Sequence, residues 1–202
     1  MFRNVRVILI VACLLVLTAC EKEQKRIDDF FVTFATTILY DSGYRFALDN
    51  GDLVVPEDLK DFDGTTGQRV VINYTPISDN RVKVNNISKV FTDNLRETDM
   101  ANSLKMEPVK LQSVWIAGRY LNLIIETMYH SQPHAIALYR DITSTDYNLY
   151  LSYSRNNDAP GSSKMIYASF YLGSILGENK KPSTLFFNIN TVDGLRKIEL
   201  TP

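Results

Sequence analysis

The sequence predicts an all-β protein in which a small barrel is followed by an antiparallel β-sandwich. Short runs rich in Val, Ile, Thr, Tyr and Phe recur from Phe30 onward, and the 202 residues include 11 tyrosines and 10 phenylalanines. Such side chains suit a pleated, half-buried surface. Turn signals separate the runs: Asp49-Asn50-Gly51, Ser78-Asp79-Asn80, Asn156-Asn157-Asp158 and Asp193-Gly194. The sequence carries no periodic repeat, heptad pattern or glycine-rich phosphate loop.

The first 19 residues read as a signal peptide rather than as part of the fold. Arg3 and Arg6 form a basic start, and Val7 to Leu17 is an unbroken apolar run. A membrane-spanning helix needs roughly 20 apolar residues, so this run has the length of a signal-peptide core instead. It leads into Leu17-Thr18-Ala19-Cys20, the pattern of a bacterial lipobox. Small residues let the peptidase approach the backbone, and the Cys20 thiol is the nucleophile that takes up a diacylglycerol. Several acyl chains, at about 0.8 kcal/mol per buried methylene, make a stable anchor. Cys13 leaves with the signal, so the mature chain has no free thiol and no disulfide. Its stability must come from a buried core. The expected address is the cell envelope, lipid-anchored, at the outer membrane.

Residues 20–29 read as a charged tether, 30–108 as the barrel and 109–202 as the sandwich. Removing Arg3 and Arg6 from the 22 basic residues leaves 20 against 23 acidic ones. That mildly acidic balance argues against nucleic acid as a partner, since phosphate binding needs a basic surface.

In the first module, Phe30 to Tyr40 reads as a strand, followed by Tyr44 to Leu48 and, after the Asp-Asn-Gly turn, Leu53 to Val55. Pro56 to Gly67 is a polar loop with room for a helical turn at Glu57 to Lys60. Gln68 to Thr75 alternates, setting Val70 and Ile72 opposite Arg69 and Val71. Arg81 to Thr92 presents Val82, Val84 and Ile87 as its apolar positions. Short strands joined this way fit a small, partly open barrel.

Asp93 to Lys110 is polar and weakly helical, and the module boundary is placed within it. The second half holds a denser set of strands: 111–117, 120–128, 134–140, 147–154, 165–172, 184–190 and 195–200. Regular short strands with tight turns predict a sandwich. In 120–128, Leu121, Leu123 and Ile125 share one face while Ile124 and Met128 share the other. That strand is expected to be central and covered on both sides.

Several of these segments resemble one known family. The lipobox, Asp49-Asn50-Gly51, Gly67-Gln68-Arg69-Val70-Val71 running into Asn73-Tyr74, Val84-Asn85-Asn86-Ile87, and Tyr147-Asn148-Leu149-Tyr150-Leu151-Ser152-Tyr153 are similar to the NigD-like lipoproteins of Bacteroidetes. The resemblance implies an N-terminal OB-type barrel and a C-terminal β-sandwich. Through the gene neighbourhood behind the family's name, it implies a link to bacteriocin production. It carries no catalytic residue onto this chain.

Chemistry-bearing residues are sparse. His130 and His134 stand four apart, a zinc-like spacing on a helix, but Pro133 makes the segment a turn, read here as a solvated hairpin loop without metal. Ser131 and Asp141 lack a nucleophile-elbow pattern. Asp58, Asp61, Asp63 and Gly64 lack the spacing and terminal Glu of a calcium loop. No catalytic residue, metal or cofactor is assigned.

The tyrosines of the second module are the candidate binding surface. If Leu149, Leu151 and Tyr153 face the core, Asn148 and Tyr150 face out; if Ile166, Ala168 and Phe170 face in, Tyr167 and Tyr171 face out. Tyrosines among Asn and Ser suit contact with a sugar or a protein. The expected function is a non-enzymatic, membrane-anchored binding lipoprotein whose partner is another envelope protein. The alternatives are glycan binding and bacteriocin self-protection.

Overall fold

The structure, a computed structural model, describes residues 30–59, 61–177 and 182–202. The signal peptide, Cys20 and the tether lie outside the described residues. The first module contains β1 (Phe31–Tyr40), β2 (Gly43–Leu48), β3 (Leu53–Pro56), β4 (Arg69–Ser78) and β5 (Arg81–Lys89). These strands form a closed barrel in the order β1-β2-β3-β5-β4, not the partly open one expected. Closure comes from parallel pairing of β3 with β5, where Val55 lies beside Arg81 and Pro56 beside Val82. Pro56 cannot donate to a ladder, and it stands at the strand's last position, where no donor is lost from the interior.

Alternation places Ala35, Phe46, Leu48, Val54, Val70, Ile72 and Val82 in the barrel core. The polar loop after β3 has no helical turn in its described residues 57–59. It closes one end of the barrel with Phe62, whose ring centroid lies 5.0 Å from Tyr44 and 6.0 Å from Phe46. The Tyr44 hydroxyl donates to the Gly64 carbonyl at 3.1 Å, fixing the loop. The odd spacing of Val84 and Ile87 has a simple cause. Tyr74 pairs with Val84 but Asn73 pairs with Asn86, so Asn85 is the extra residue of a bulge. A bulge shifts the strand's parity by one, which returns Ile87 to the core side.

The second module contains β6 (Phe91–Asn94), β7 (Arg96–Thr98), a 3-10 turn at Ala101–Ser103, and β8 (Lys110–Ala117), β9 (Tyr120–Tyr129), β10 (Ala135–Asp141), β11 (Asn148–Ser154), β12 (Ser162–Tyr171), β13 (Leu185–Thr191) and β14 (Gly194–Leu200). One sheet has the order β14-β13-β11-β10-β7 and the other β6-β12-β9-β8. Most pairs are antiparallel; β7 beside β10, β13 beside β11 and β6 beside β12 are parallel. The sandwich therefore starts at Phe91, earlier than the boundary after residue 108. The polar stretch 91–98 supplies two short edge strands, whose largely exposed side chains give the sequence no alternating signal. The core between the sheets includes Leu121, Leu123, Ile125, Leu149, Leu151, Phe170 and Phe187.

β9 is central in its sheet, as its sequence predicts, but its second face is covered only in part: Ile124 packs under the barrel while Met128 is exposed. Its outer face, with that of β8 and β12, carries the barrel: Phe34, Val71 and Val90 pack against Trp115, Ile124 and Tyr167. The molecule is thus layered as barrel, four-stranded sheet and five-stranded sheet. At the first junction Arg69 is almost fully enclosed. Its Nη1 donates to Thr36 Oγ1 and Asp49 Oδ1 at 3.1 and 2.6 Å, and its Nη2 to Asp49 Oδ2 and Asn122 Oδ1 at 2.8 and 2.9 Å. Its Nε donates to Ser169 Oγ at 3.3 Å. The guanidinium also lies 4.6 Å from the centre of the Tyr120 ring.

Removing one partner of a buried pair leaves an uncompensated charge. Asp49→Ala should lower stability by about 3 kcal/mol in urea unfolding. Glu57→Ala should leave the midpoint unchanged, because Glu57 and Arg81 are both over half exposed at 3.5 Å.

Candidate binding groove

At the far end of β9 from Asn122, β8 begins only opposite Glu126, and the last residues of β9 have no β8 partner. This leaves a groove of about 350 Å³ lined by Pro108, Val109, Met128 and Val192, with Thr127 on its wall. Its charges are already engaged. Lys110 Nζ lies 2.9 Å from Glu126 Oε2, and Glu126 also accepts from Ser163 Oγ at 2.6 Å and from Gln112 Nε2 at 2.7 Å. These donors hold the Glu126 carboxyl below its ordinary range, the Ser163 hydroxyl first. Arg155 Nε donates to Glu107 Oε2 at 2.9 Å, and this bond is the chief reason the Glu107 carboxyl is also depressed. The groove offers apolar side chains between neutralised pairs, a surface suited to an uncharged apolar contact.

Behind Thr127 runs a buried polar chain that sequence reading did not find. Tyr153 Oη lies 2.7 Å from Thr127 Oγ1 and 2.6 Å from His134 Nδ1, and His134 Nε2 lies 3.1 Å from Asp158 Oδ2. Residues 130–133 are exposed, as a solvated loop would be, but the His134 side chain is 5% exposed and that of Asp158, in the β11–β12 loop, 1%. β9 and β10 lie in different sheets, so the turn is not a hairpin. Asp158 accepts from the backbone N–H groups of His130, Ser131 and Gln132 at 2.7, 3.0 and 3.0 Å. Gly161 permits this approach, since a Cβ there would meet the Tyr129 carbonyl. Burial works against the Asp158 charge, but the three N–H donors and His134 outweigh it and hold the carboxyl far below its usual range. Burial raises the Tyr153 phenol. The chain pins the β9–β10 turn to β11 and to the loop before β12.

The other sequence candidates separate in space. His130 is exposed, with Nδ1 2.9 Å from Ser131 Oγ, while His134 turns inward, so the two imidazoles do not converge. Among the described residues no cluster of three or more His, Cys, Asp or Glu side chains could hold a metal. Asp58 and Asp61 line a second cavity of about 380 Å³ between the Phe62 loop and β5. Asp63 pairs with Lys89 at 3.2 Å.

The tyrosines do not form one surface. Leu149, Leu151, Tyr153, Ala168 and Phe170 do face the core. However, β11 and β12 belong to opposite sheets, so their outer faces point apart. Tyr150 stands half-buried on the five-stranded sheet, directly across from Tyr139. The Asn148 amide donates to Ser144 Oγ at 2.8 Å. Tyr167 is packed against Phe34 at the barrel junction, with ring centroids 6.1 Å apart. The Tyr171 hydroxyl accepts from Arg119 Nη1 at 3.3 Å, and its ring lies 5.4 Å from Tyr120.

The fold defines a two-module all-β protein, an OB-type barrel seated on the outer face of a β-sandwich. The chain belongs to the NigD-like family: residues 38–90 match the NigD-like N-terminal OB domain and residues 91–201 the NigD-like C-terminal β-sandwich domain. Among solved structures it is similar to a NigD-like immunity protein from Bacteroides caccae, at 20% identity and a TM-score of 0.64, over 86% of this chain and 92% of that one. A protein from Parabacteroides distasonis provisionally described as toxin-related shares 23% identity and a TM-score of 0.75, over 86% and 93% of the two chains. One from Bacteroides fragilis provisionally described as a lipoprotein shares 8% identity and a TM-score of 0.67, over 86% and 98%. At these identities the likeness shows the fold alone. No curated protein matches the chain in sequence. Among the described residues no helix is long and apolar enough to cross a membrane.

The depressed Asp158 carboxyl has a pH consequence. Its native pKa lies below the unfolded value near ~4, so its contribution is complete above about pH 5 and is lost as pH falls through the native value. Asp158→Asn should therefore lower Tm clearly at neutral pH. The gap from wild type should narrow on acidification toward about pH 2, as followed by scanning calorimetry.

Proposed function

We propose that this chain is held in the cell envelope by acylation of Cys20 and acts without catalysis, by binding another envelope protein. The observation that carries the binding reading is the sandwich groove. Pro108, Met128 and Val192 are exposed there above the buried Val109, while the neighbouring charges are consumed by one another. Apolar residues ringed by satisfied polar groups fit a protein contact better than a small charged substrate. Anchoring is supported by the lipobox and by the provisional description of the B. fragilis relative as a lipoprotein. A tether raises the local concentration of body and partner, so modest affinity suffices.

Self-protection against a bacteriocin is a second reading, favoured by the description of the B. caccae relative as an immunity protein. Deleting the gene should then sensitise the producing cells to their own toxin. Glycan binding keeps one specific observation in its favour, the Tyr139–Tyr150 pair on the outer sheet. It requires retention on a carbohydrate array that Tyr150→Ala abolishes.

Intact mass of the mature protein should show a diacylglycerol-modified Cys20, and Cys20→Ser should release the body from membranes. A photo-crosslinker in place of Met128 should capture one defined envelope protein, and Val192→Asp should abolish that capture. An unmodified thiol removes the anchoring reading. Capture that Val192→Asp leaves intact removes the groove from the binding reading.

A further inference from the structure

The described chain begins with three consecutive exposed apolar residues. Phe30, Phe31 and Val32 are 55%, 51% and 58% exposed. Phe31 stacks on Tyr74 across the β1–β4 ladder, with centroids 5.6 Å apart and an interplanar angle of 27°. Farther along β4, Ile77 is pushed out as the extra residue of a second bulge, between the pairs Pro76–Val82 and Ser78–Arg81, and is 47% exposed. These side chains share the barrel end where β1 starts and the β4–β5 hairpin turns. Single exposed apolar residues are ordinary, but a cluster of aromatic and aliphatic side chains at one end of a small barrel marks a contact surface.

We infer that this lip of the barrel rests in the interfacial layer of the phospholipid bilayer. The inference rests on the anchoring reading above. What selects lipid over another occupant is chain length. Cys20 precedes Phe30 by ten residues, and at about 3.5 Å per residue even a fully extended chain spans no more than roughly 35 Å. An acylated Cys20 therefore holds this end of the body within roughly 35 Å of the membrane. Phe31 and Tyr74 are the side-chain types that settle at the headgroup level, where a ring has apolar surroundings and a phenol stays wet. Lys22, Lys25 and Arg26 alternate with acids between the anchor and the lip, so the attraction depends on apolar contact more than on anionic lipid. The outcome is one fixed orientation: barrel down on the bilayer, rather than a body swinging freely on its tether.

The mature chain has no cysteine besides Cys20, so an introduced thiol is the only one open to labelling once Cys20 is acylated. Val32→Cys, Ile77→Cys and Leu195→Cys each replace an exposed side chain, the last on β14 of the outer sheet. Each acylated protein carries an environment-sensitive fluorophore and sits in vesicles of phosphatidylethanolamine and phosphatidylglycerol. Positions 32 and 77 should show blue-shifted emission and strong quenching by spin-labelled lipid, while position 195 should show neither. Intact mass of the same samples reports Cys20. An unacylated Cys20 overturns the anchoring reading and this inference with it. Acylated protein whose positions 32 and 77 are as wet as 195 overturns the lipid contact alone. A blue shift at 32 and 77 in detergent-solubilised protein, unchanged by vesicles and dependent on protein concentration, assigns the lip to a second copy of the chain and overturns it too.

Discussion

The arrangement of the two modules depends on how one buried cation is satisfied. A guanidinium carries five N–H donors in a fixed planar fork and cannot shed its charge. Arg69 finds five acceptors, and they come from both modules: Thr36 and both Asp49 oxygens from the barrel, Asn122 and Ser169 from the sandwich. The acceptors are themselves braced. Asn122 Nδ2 donates to Asp49 Oδ2 at 2.8 Å, and Ser169 Oγ to Asn122 Oδ1 at 2.6 Å. A buried ion pair of this kind contributes little net stability compared with an apolar contact of equal volume. Its value here is orientational, because rotating the barrel on the sheet would leave two buried N–H donors of Arg69 without Asn122 and Ser169. The apolar contacts of Phe34, Val71 and Val90 with Trp115, Ile124 and Tyr167 supply attraction without direction; the fork supplies direction.

That fixed orientation links the two surfaces with functional interest. The barrel lip and the sandwich groove belong to one body, so an orientation of the lip against a membrane would also set the direction in which the groove is presented. β9 joins the junction to the groove: Asn122 lies in the hub and Thr127 on the groove wall. Five residues of strand place them roughly 17 Å apart. A rigid strand of that length transmits position, and the Asp158–His134–Tyr153–Thr127 chain stops its far end from fraying.

Most strands were legible because their alternation is strict. Leu121, Leu123 and Ile125 against Ile124, or Leu149, Leu151 and Tyr153 against Tyr150, state their faces in the sequence itself. Three features were not legible, each for a definite reason. β6 and β7 pair in parallel with strands far along the chain and bury little, so neither composition nor periodicity marks them. The tyrosine pattern reports which side of a strand a residue occupies, but not that β11 and β12 lie in opposite sheets with the barrel covering one of them. The Asp158 anchor joins a turn to a loop 24 to 28 residues away, with no local spacing to betray it. Arg69 did leave a trace, as a lone charge opening an otherwise apolar alternating run. Its partners could be found only once the topology brought them together.

The lack of any cysteine in the two modules sharpens the role of the junction. A barrel running from Phe31 to Val90 is at the size where a folded chain buries only about 60% of its extended surface and is marginal on its own. Small secreted modules often rely on disulfides, and none can form within residues 21–202, which hold no cysteine. The remaining source of stability is the neighbouring module. Phe34, Val71 and Val90 pack against the four-stranded sheet, and two of the Arg69 donors are satisfied by that sheet's Asn122 and Ser169. A barrel detached from the sandwich would expose all three apolar side chains and leave two guanidinium donors without their protein acceptors. The two modules are therefore better regarded as one cooperative folding unit than as beads on a string.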